Sequence, residues 1–153
     1  MRKVIIKVTS TFFYVGYLPL IPGTFGSLAG ILLFYLVRAD AVIFVLSTCV
    51  LIILGFLVSG QAERNENKKD ASCIVIDEVS GMLLSLIFIP YDARLVVLAF
   101  LIFRILDTLK PYPAGILQRL KGSAGIMSDD IVAGLYTNIV LQVIARLASF
   151  IAS

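Results

Sequence analysis

The chain is predicted to be all-α: a polytopic or partly inserted membrane bundle of about five helices, preceded by an N-terminal interfacial segment. Three observations carry that expectation. Hydrophobic residues make up 59% of the 153 positions, mean hydropathy is +1.01 and charged residues are only 15%. A soluble chain this small has too little interior to hide so much apolar surface. The apolar residues also fall in runs of helical length, divided by breaks that hold proline, glycine or charge. The competing expectation is a compact soluble helical protein with an oligomeric interface; from sequence the unit is open between a monomer and a homo-oligomer.

Taken in order, residues 4–20 are apolar and aromatic, with Phe12, Phe13, Tyr14 and Tyr17 interrupted by Gly16 and Pro19. Aromatic side chains favour the headgroup level, so this segment is expected to lie in the membrane interface. The turn Pro22-Gly23-Thr24-Phe25-Gly26-Ser27 opens an apolar helix to about Val37. Residues 41–60 contain no charge and have the length of a membrane crossing. A polar loop from Gln61 to Asp70 holds three acids and three bases. Residues 71–89 form the next apolar helix, stopped by Pro90, and another runs from about 94 to 109. Pro111 pushes Lys110 out of helical geometry and ends it. Residues 111–128 read as a loop rich in glycine and proline, and the last helix spans about 129 to 151. All 153 residues are expected to form one membrane-embedded domain, with the N-terminus retained because no small-residue cleavage site follows Arg2, Lys3 and Lys7.

Tracing these crossings puts every acidic cluster on one face of the membrane. The same face receives Arg2, Lys3, Lys7, Arg64, Lys68, Lys69, Lys110, Arg119 and Lys121, against Arg38 and Arg94 opposite. That asymmetry marks it as cytoplasmic. The net charge of +3 is scattered rather than striped, which suits an anionic lipid bilayer and speaks against a nucleic-acid partner. Cys49 and Cys73 lack a shared motif and read as reduced packing residues.

The chemistry is carried by carboxylates. Of ten Asp and Glu, five cluster in three places that border hydrophobic stretches: Asp77-Glu78, Asp107 and Asp129-Asp130. Desolvating an unpaired carboxylate is costly, so such surroundings require pairing, protonation or a metal. Together the five point to a divalent-cation site at a membrane surface. Arg104, Asp107 and Lys110 follow i, i+3, i+6 spacing along one helix face, an arrangement for a place where phosphate meets metal. Gly81 leaves room beside Asp77 and Glu78 for another backbone or a ligand. Ser128 is placed to cap the last helix, with Asp129 and Asp130 in its first turn. The turn containing Thr24, Gly26 and Ser27 offers backbone N–H groups and hydroxyls at a helix N-terminus, a natural phosphate site. Histidine is absent, which removes His-dependent hydrolases, phosphohistidine chemistry and most zinc sites.

These segments together resemble the phosphatidylglycerophosphatase A family of bacterial lipid phosphatases. The matching pieces are Pro22–Ser27, Asp77-Glu78 with Gly81-Met82, Phe103-Arg104 with Asp107 and Lys110-Pro111-Tyr112-Pro113, and Gly125–Asp130 with Ala133-Gly134, in order over residues 19–135. The resemblance implies a Mg²⁺-dependent phosphatase that converts phosphatidylglycerophosphate to phosphatidylglycerol at the bacterial cytoplasmic membrane. It implies that Asp77, Glu78, Asp107, Lys110, Asp129 and Asp130 belong to the active site, the five acids as metal ligands. Thr24, Gly26, Ser27, Arg104 and Lys110 are the expected substrate-binding residues. Before Asp77 the chain departs from the family, with Lys68-Lys69-Asp70-Ala71-Ser72-Cys73 where many relatives carry histidine or other polar residues. Two other classes use the same acids differently: a small cation transporter or channel subunit would pass ions between them, and a membrane scaffold would hold them as incidental helix-end charges.

Overall fold

The computed structural model describes residues 2–67 and 71–152, the last by its backbone alone. Lys68, Lys69 and Asp70, assigned above to the cytoplasmic face and the departing loop, lie outside the described residues. Among the described residues there are seven α-helices and no strand: α1 (Arg2–Ser10), α2 (Pro22–Val37), α3 (Ala41–Glu66), α4 (Ile76–Ser85), α5 (Ala93–Leu109), α6 (Ala114–Leu117) and α7 (Ser123–Ala152). Five correspond to the expected apolar runs. The two additions are short: α1 falls in the segment expected at the interface, and α6 in the stretch expected to be a loop.

Helix boundaries differ from expectation for local reasons. The polar residues 61–66 extend α3 instead of forming a loop, because Gln, Ala, Glu and Arg are good helix formers. Arg64 Nε donates to Gly60 C=O (3.0 Å), and Asn67, in the left-handed region at φ 50°, closes the helix. α4 has only ten residues. Residues 71–75 are held out of it by Val75, whose N–H donates to Ser10 C=O (3.0 Å). At its other end Asn138 Nδ2 donates to Ser85 C=O (3.1 Å) and Ile87 C=O (2.7 Å), taking up carbonyls that a helix end leaves without a partner. α7 starts at Ser123 rather than 129, just after Gly122 at φ 65°. Ser128 is therefore inside the helix and caps nothing, while Ser123 Oγ accepts from Gly60 N–H (2.7 Å) and ties α7 to α3.

At its centre lies α4, nearly all of it buried, packed chiefly on α7 and α2. Val79, Met82 and Leu83 meet Phe34, Phe103 and Leu141 in the main apolar cluster. A second cluster joins Ile74, Ile76, Ala62 and Met127 beneath α1 and α3. The α4–α7 crossing is close enough for backbones to touch. A Cβ added to Gly134 would lie 2.6 Å from Gly81 C=O, and one added to Gly81 would lie 2.7 Å from Asp130 C=O. Small residues permit such an approach between apolar helices.

Among the described residues two helices, α3 and α7, are long and apolar enough to cross a membrane. The 16, 17 and 10 residues of α2, α5 and α4 fall short of the roughly 20 that a full crossing needs. Large apolar side chains nonetheless cover the outside, among them Leu46, Val50 and Leu57 on α3 and Val97 and Leu101 on α5. A contiguous apolar surface of this kind calls for a lipid or protein partner.

Candidate active site

All five clustered acids meet at one end of the bundle, delivered by three helices. Asp77 and Glu78 occupy the first turn of α4, where the helix dipole favours negative charge. Asp107 stands in the last turn of α5. Asp129 and Asp130 lie two turns into α7, opposite α4 because Gly81 and Gly134 let the two helices come together.

Carboxylate oxygens of Asp77, Glu78 and Asp130 lie within 4.8 Å of one another, and so do those of Asp107, Asp129 and Asp130. Asp130 belongs to both triads. Asp77, Asp129 and Asp130 are buried, with 7%, 5% and 3% exposure.

Among the described residues, two basic side chains reach this cluster. Arg104 Nη1 donates to Asp107 Oδ2 (2.8 Å), and Lys110 Nζ donates to Asp129 Oδ2 (2.5 Å). Lys110 sits in the left-handed region (φ 46°, ψ 61°) at the end of α5, where the following proline bars continued helix. The turn after it is braced by Tyr136 Oη, which donates to Tyr112 C=O (2.9 Å). Burial by itself would lower the Lys110 ammonium, but the Asp129 hydrogen bond and the charges of Asp129, Asp107 and Asp130 hold it above its ordinary value.

Five carboxylates against two bases leave an excess of negative charge. Among the described residues, Asp77 Oδ1, Glu78 Oε2 and Asp129 Oδ1 are buried without a hydrogen-bond partner. Orphaned anionic oxygens in an apolar interior are strongly unfavourable unless protonated or bound to a cation. The donor set is oxygen alone, which fits a hard divalent ion.

The segment 22–27 forms the first turns of α2 and adjoins the acids. A side chain on Gly23 would collide with Glu78 Oε1 and approach Arg104 Nη1 to 3.3 Å. Gly26 is buried against Val75 and the Glu78 Cβ. Ser27 is fully buried and its Oγ donates back to Gly23 C=O (3.0 Å), so this hydroxyl is engaged within its own helix and does not cap it. Thr24 is partly exposed on the same end. Gly23 was not singled out from sequence, although it lay inside a motif that was. The braces from Tyr136 and Asn138 left a weaker trace, a polar side chain in an apolar helix.

Fold and site together describe a helical protein with apolar outer surfaces and an oxygen-only carboxylate cluster gathered at one end. The sequence model of the family described as phosphatidylglycerophosphatase A matches residues 8–145, and the chain belongs to that family. Among curated relatives, phosphatidylglycerophosphatase A of Escherichia coli (strain K12) is 37% identical over 138 residues, covering 86% of this chain and 78% of the relative. The protein of the same name from Haemophilus influenzae is 34% identical, covering 78% and 76%. A Bacteroides thetaiotaomicron protein named "Putative phosphatidylinositol-3-phosphatase" is 33% identical, covering 84% and 86%. No solved structure matches the chain significantly.

Proposed function

We propose that the chain is a Mg²⁺-dependent phosphatase that removes the terminal phosphate of phosphatidylglycerophosphate to give phosphatidylglycerol. It would work in the bacterial cytoplasmic membrane, with its site on the cytoplasmic face. The observation that carries this reading is the set of buried, partnerless oxygens on Asp77, Glu78 and Asp129 within two carboxylate triads. Membership of the family and the names of the E. coli and H. influenzae relatives support the substrate.

Asp77, Glu78, Asp107, Asp129 and Asp130 would hold the ion. Bound there, Mg²⁺ supplies polarisation of the phosphoryl group and neutralises charge on it. Lys110 orients a phosphate oxygen from the rim, and Arg104 adds a second positive group. A carboxylate of the cluster takes the proton from the attacking water as its oxygen bonds to phosphorus. The ester P–O bond breaks and the glycerol oxygen leaves, taking up a proton. The apolar helices keep the acyl chains in the bilayer while the headgroup reaches the acids.

Purified protein in detergent micelles should release phosphate from phosphatidylglycerophosphate when Mg²⁺ is present and stop on addition of EDTA. Release that survives chelation would remove the metal from the scheme. Cation flux into liposomes without phosphate release would instead favour a transporter. Because of the name the Bacteroides relative bears, phosphatidylinositol 3-phosphate belongs in the same assay as the competing substrate.

A further inference from the structure

The two basic residues at the site are placed unequally along α5. Lys110 ends the helix, whereas Arg104 lies six residues earlier, about 9 Å along the axis at 1.5 Å per residue. Arg104 stands at an edge. Its Nη1 bonds Asp107, yet the side chain keeps 26% exposure, and among the described residues its other guanidinium donors have no partner.

What lies on either side of that edge is apolar. Leu101 and Ile105, beside Arg104 on the surface of α5, are 51% and 55% exposed. The chain entering α2 also presents Leu20 and Ile21, with Leu20 95% exposed at φ 80°. Gly23 follows directly, and because it lacks a side chain its backbone packs closely on Glu78 and Arg104. Arg104 thus stands against the N-terminus of α2 with exposed apolar side chains of α5 beside it.

The substrate proposed above carries two phosphates. The terminal monoester is the one cleaved; the inner phosphodiester joins its glycerol to the diacylglycerol. With the monoester at the carboxylates, the diester must sit on the side toward the acyl chains. Along α5 that is the direction from Lys110 and Asp107 to Arg104.

We infer that Arg104 binds the inner phosphodiester of the lipid substrate, and so selects headgroups with a second phosphate between the scissile group and the lipid. This rests on the phosphatase reading. A guanidinium can keep one N–H on Asp107 while turning its remaining donors to a phosphate; a lysine ammonium lacks that planar fork. Lys110 is left to the monoester.

The test is the kinetics of purified wild type, R104A and R104K in mixed micelles of phosphatidylglycerophosphate. Two inhibitors report on the two subsites: phosphatidylglycerol, which carries only the diester, and inorganic phosphate, which mimics only the monoester. Mn²⁺ binding by calorimetry reports on the acids without activity. Loss of a charge-assisted contact should raise KM and the inhibition constant for phosphatidylglycerol in R104A about 10- to 100-fold. Turnover, inhibition by phosphate and Mn²⁺ affinity should change far less, and R104K should recover only part of the loss. Equal weakening of both inhibitors, a fall confined to kcat, or weakened Mn²⁺ binding would mean that Arg104 acts through Asp107, and would overturn the inference. Wild type inhibited by phosphate but indifferent to phosphatidylglycerol would overturn it also. Wild type with no phosphatase activity would overturn the phosphatase reading, and this inference with it.

Discussion

Asp129 holds the most contested position at the site. One of its oxygens receives Lys110 and the other is buried without a partner among the described residues, so in the proposed scheme a single side chain would serve both the phosphate-orienting base and the cation. Asp129→Asn should lower phosphate release by about 10²–10³-fold, the range seen when one charge-stabilising group is removed, while leaving the helices folded by circular dichroism. Lys110 offers a test of sign in pH. Its ammonium is held above 10.5 in the folded chain, so the pair stabilises fully below that value and is lost only as pH rises through the raised one. Melting curves of wild type and Lys110→Met should differ at neutral pH and converge in strong alkali. At this scale much was legible from sequence, because a carboxylate in an apolar run stands out. The partners were not: nothing in the order of residues told that Lys110 would choose Asp129 over Asp107, three positions away on its own helix.

Among elements, the crossing of α4 and α7 decides whether there is a site at all, since it brings Asp77 and Glu78 to Asp130. Gly134→Ala would drive a methyl into Gly81 C=O, where the added Cβ lies at 2.6 Å. Overpacking of this kind costs about 1–3 kcal/mol, read as a lower Tm, and Mn²⁺ affinity should fall with it as the triads spread. Asn138→Leu should destabilise the fold by about 1–3 kcal/mol by stranding the carbonyls of Ser85 and Ile87; its Tm would fall without a matching loss of ion affinity. Hydrophobic runs located the five main helices and bounded α2 and α5 to within a residue, but misplaced the end of α3, both ends of α4 and the start of α7. The extension of α3 through 61–66 depends on helix propensity among charged residues that resemble a loop. The late start of α4 depends on Val75 bonding to Ser10, a contact between segments 65 residues apart that no local pattern announces.

Over the whole molecule, charge and apolarity are segregated. Acids, Lys110 and the N-terminus of α2 gather at one end, while at the other Arg38 lies 3.6 Å over the Tyr91 ring. An ion that binds the folded chain and not the unfolded one stabilises it by mass action. Adding Mg²⁺ should therefore raise Tm in detergent, and EDTA should reverse the gain; an unchanged Tm across millimolar Mg²⁺ would speak against a cation among these acids. Composition foretold the apolar exterior well, because nothing else could accommodate 59% hydrophobic residues in so short a chain. The lengths of the runs already marked several helices as short for a full crossing, and among the described residues α3 and α7 are long enough.

The hydrogen bond from Val75 to Ser10, two residues ahead of Asp77, also binds the opening of the chain to the catalytic scaffold. Trimming the first eleven residues should therefore do more than loosen membrane attachment: with its anchor gone, the peptide leading into α4 is free to swing, and the truncated enzyme should lose turnover even when reconstituted at saturating lipid.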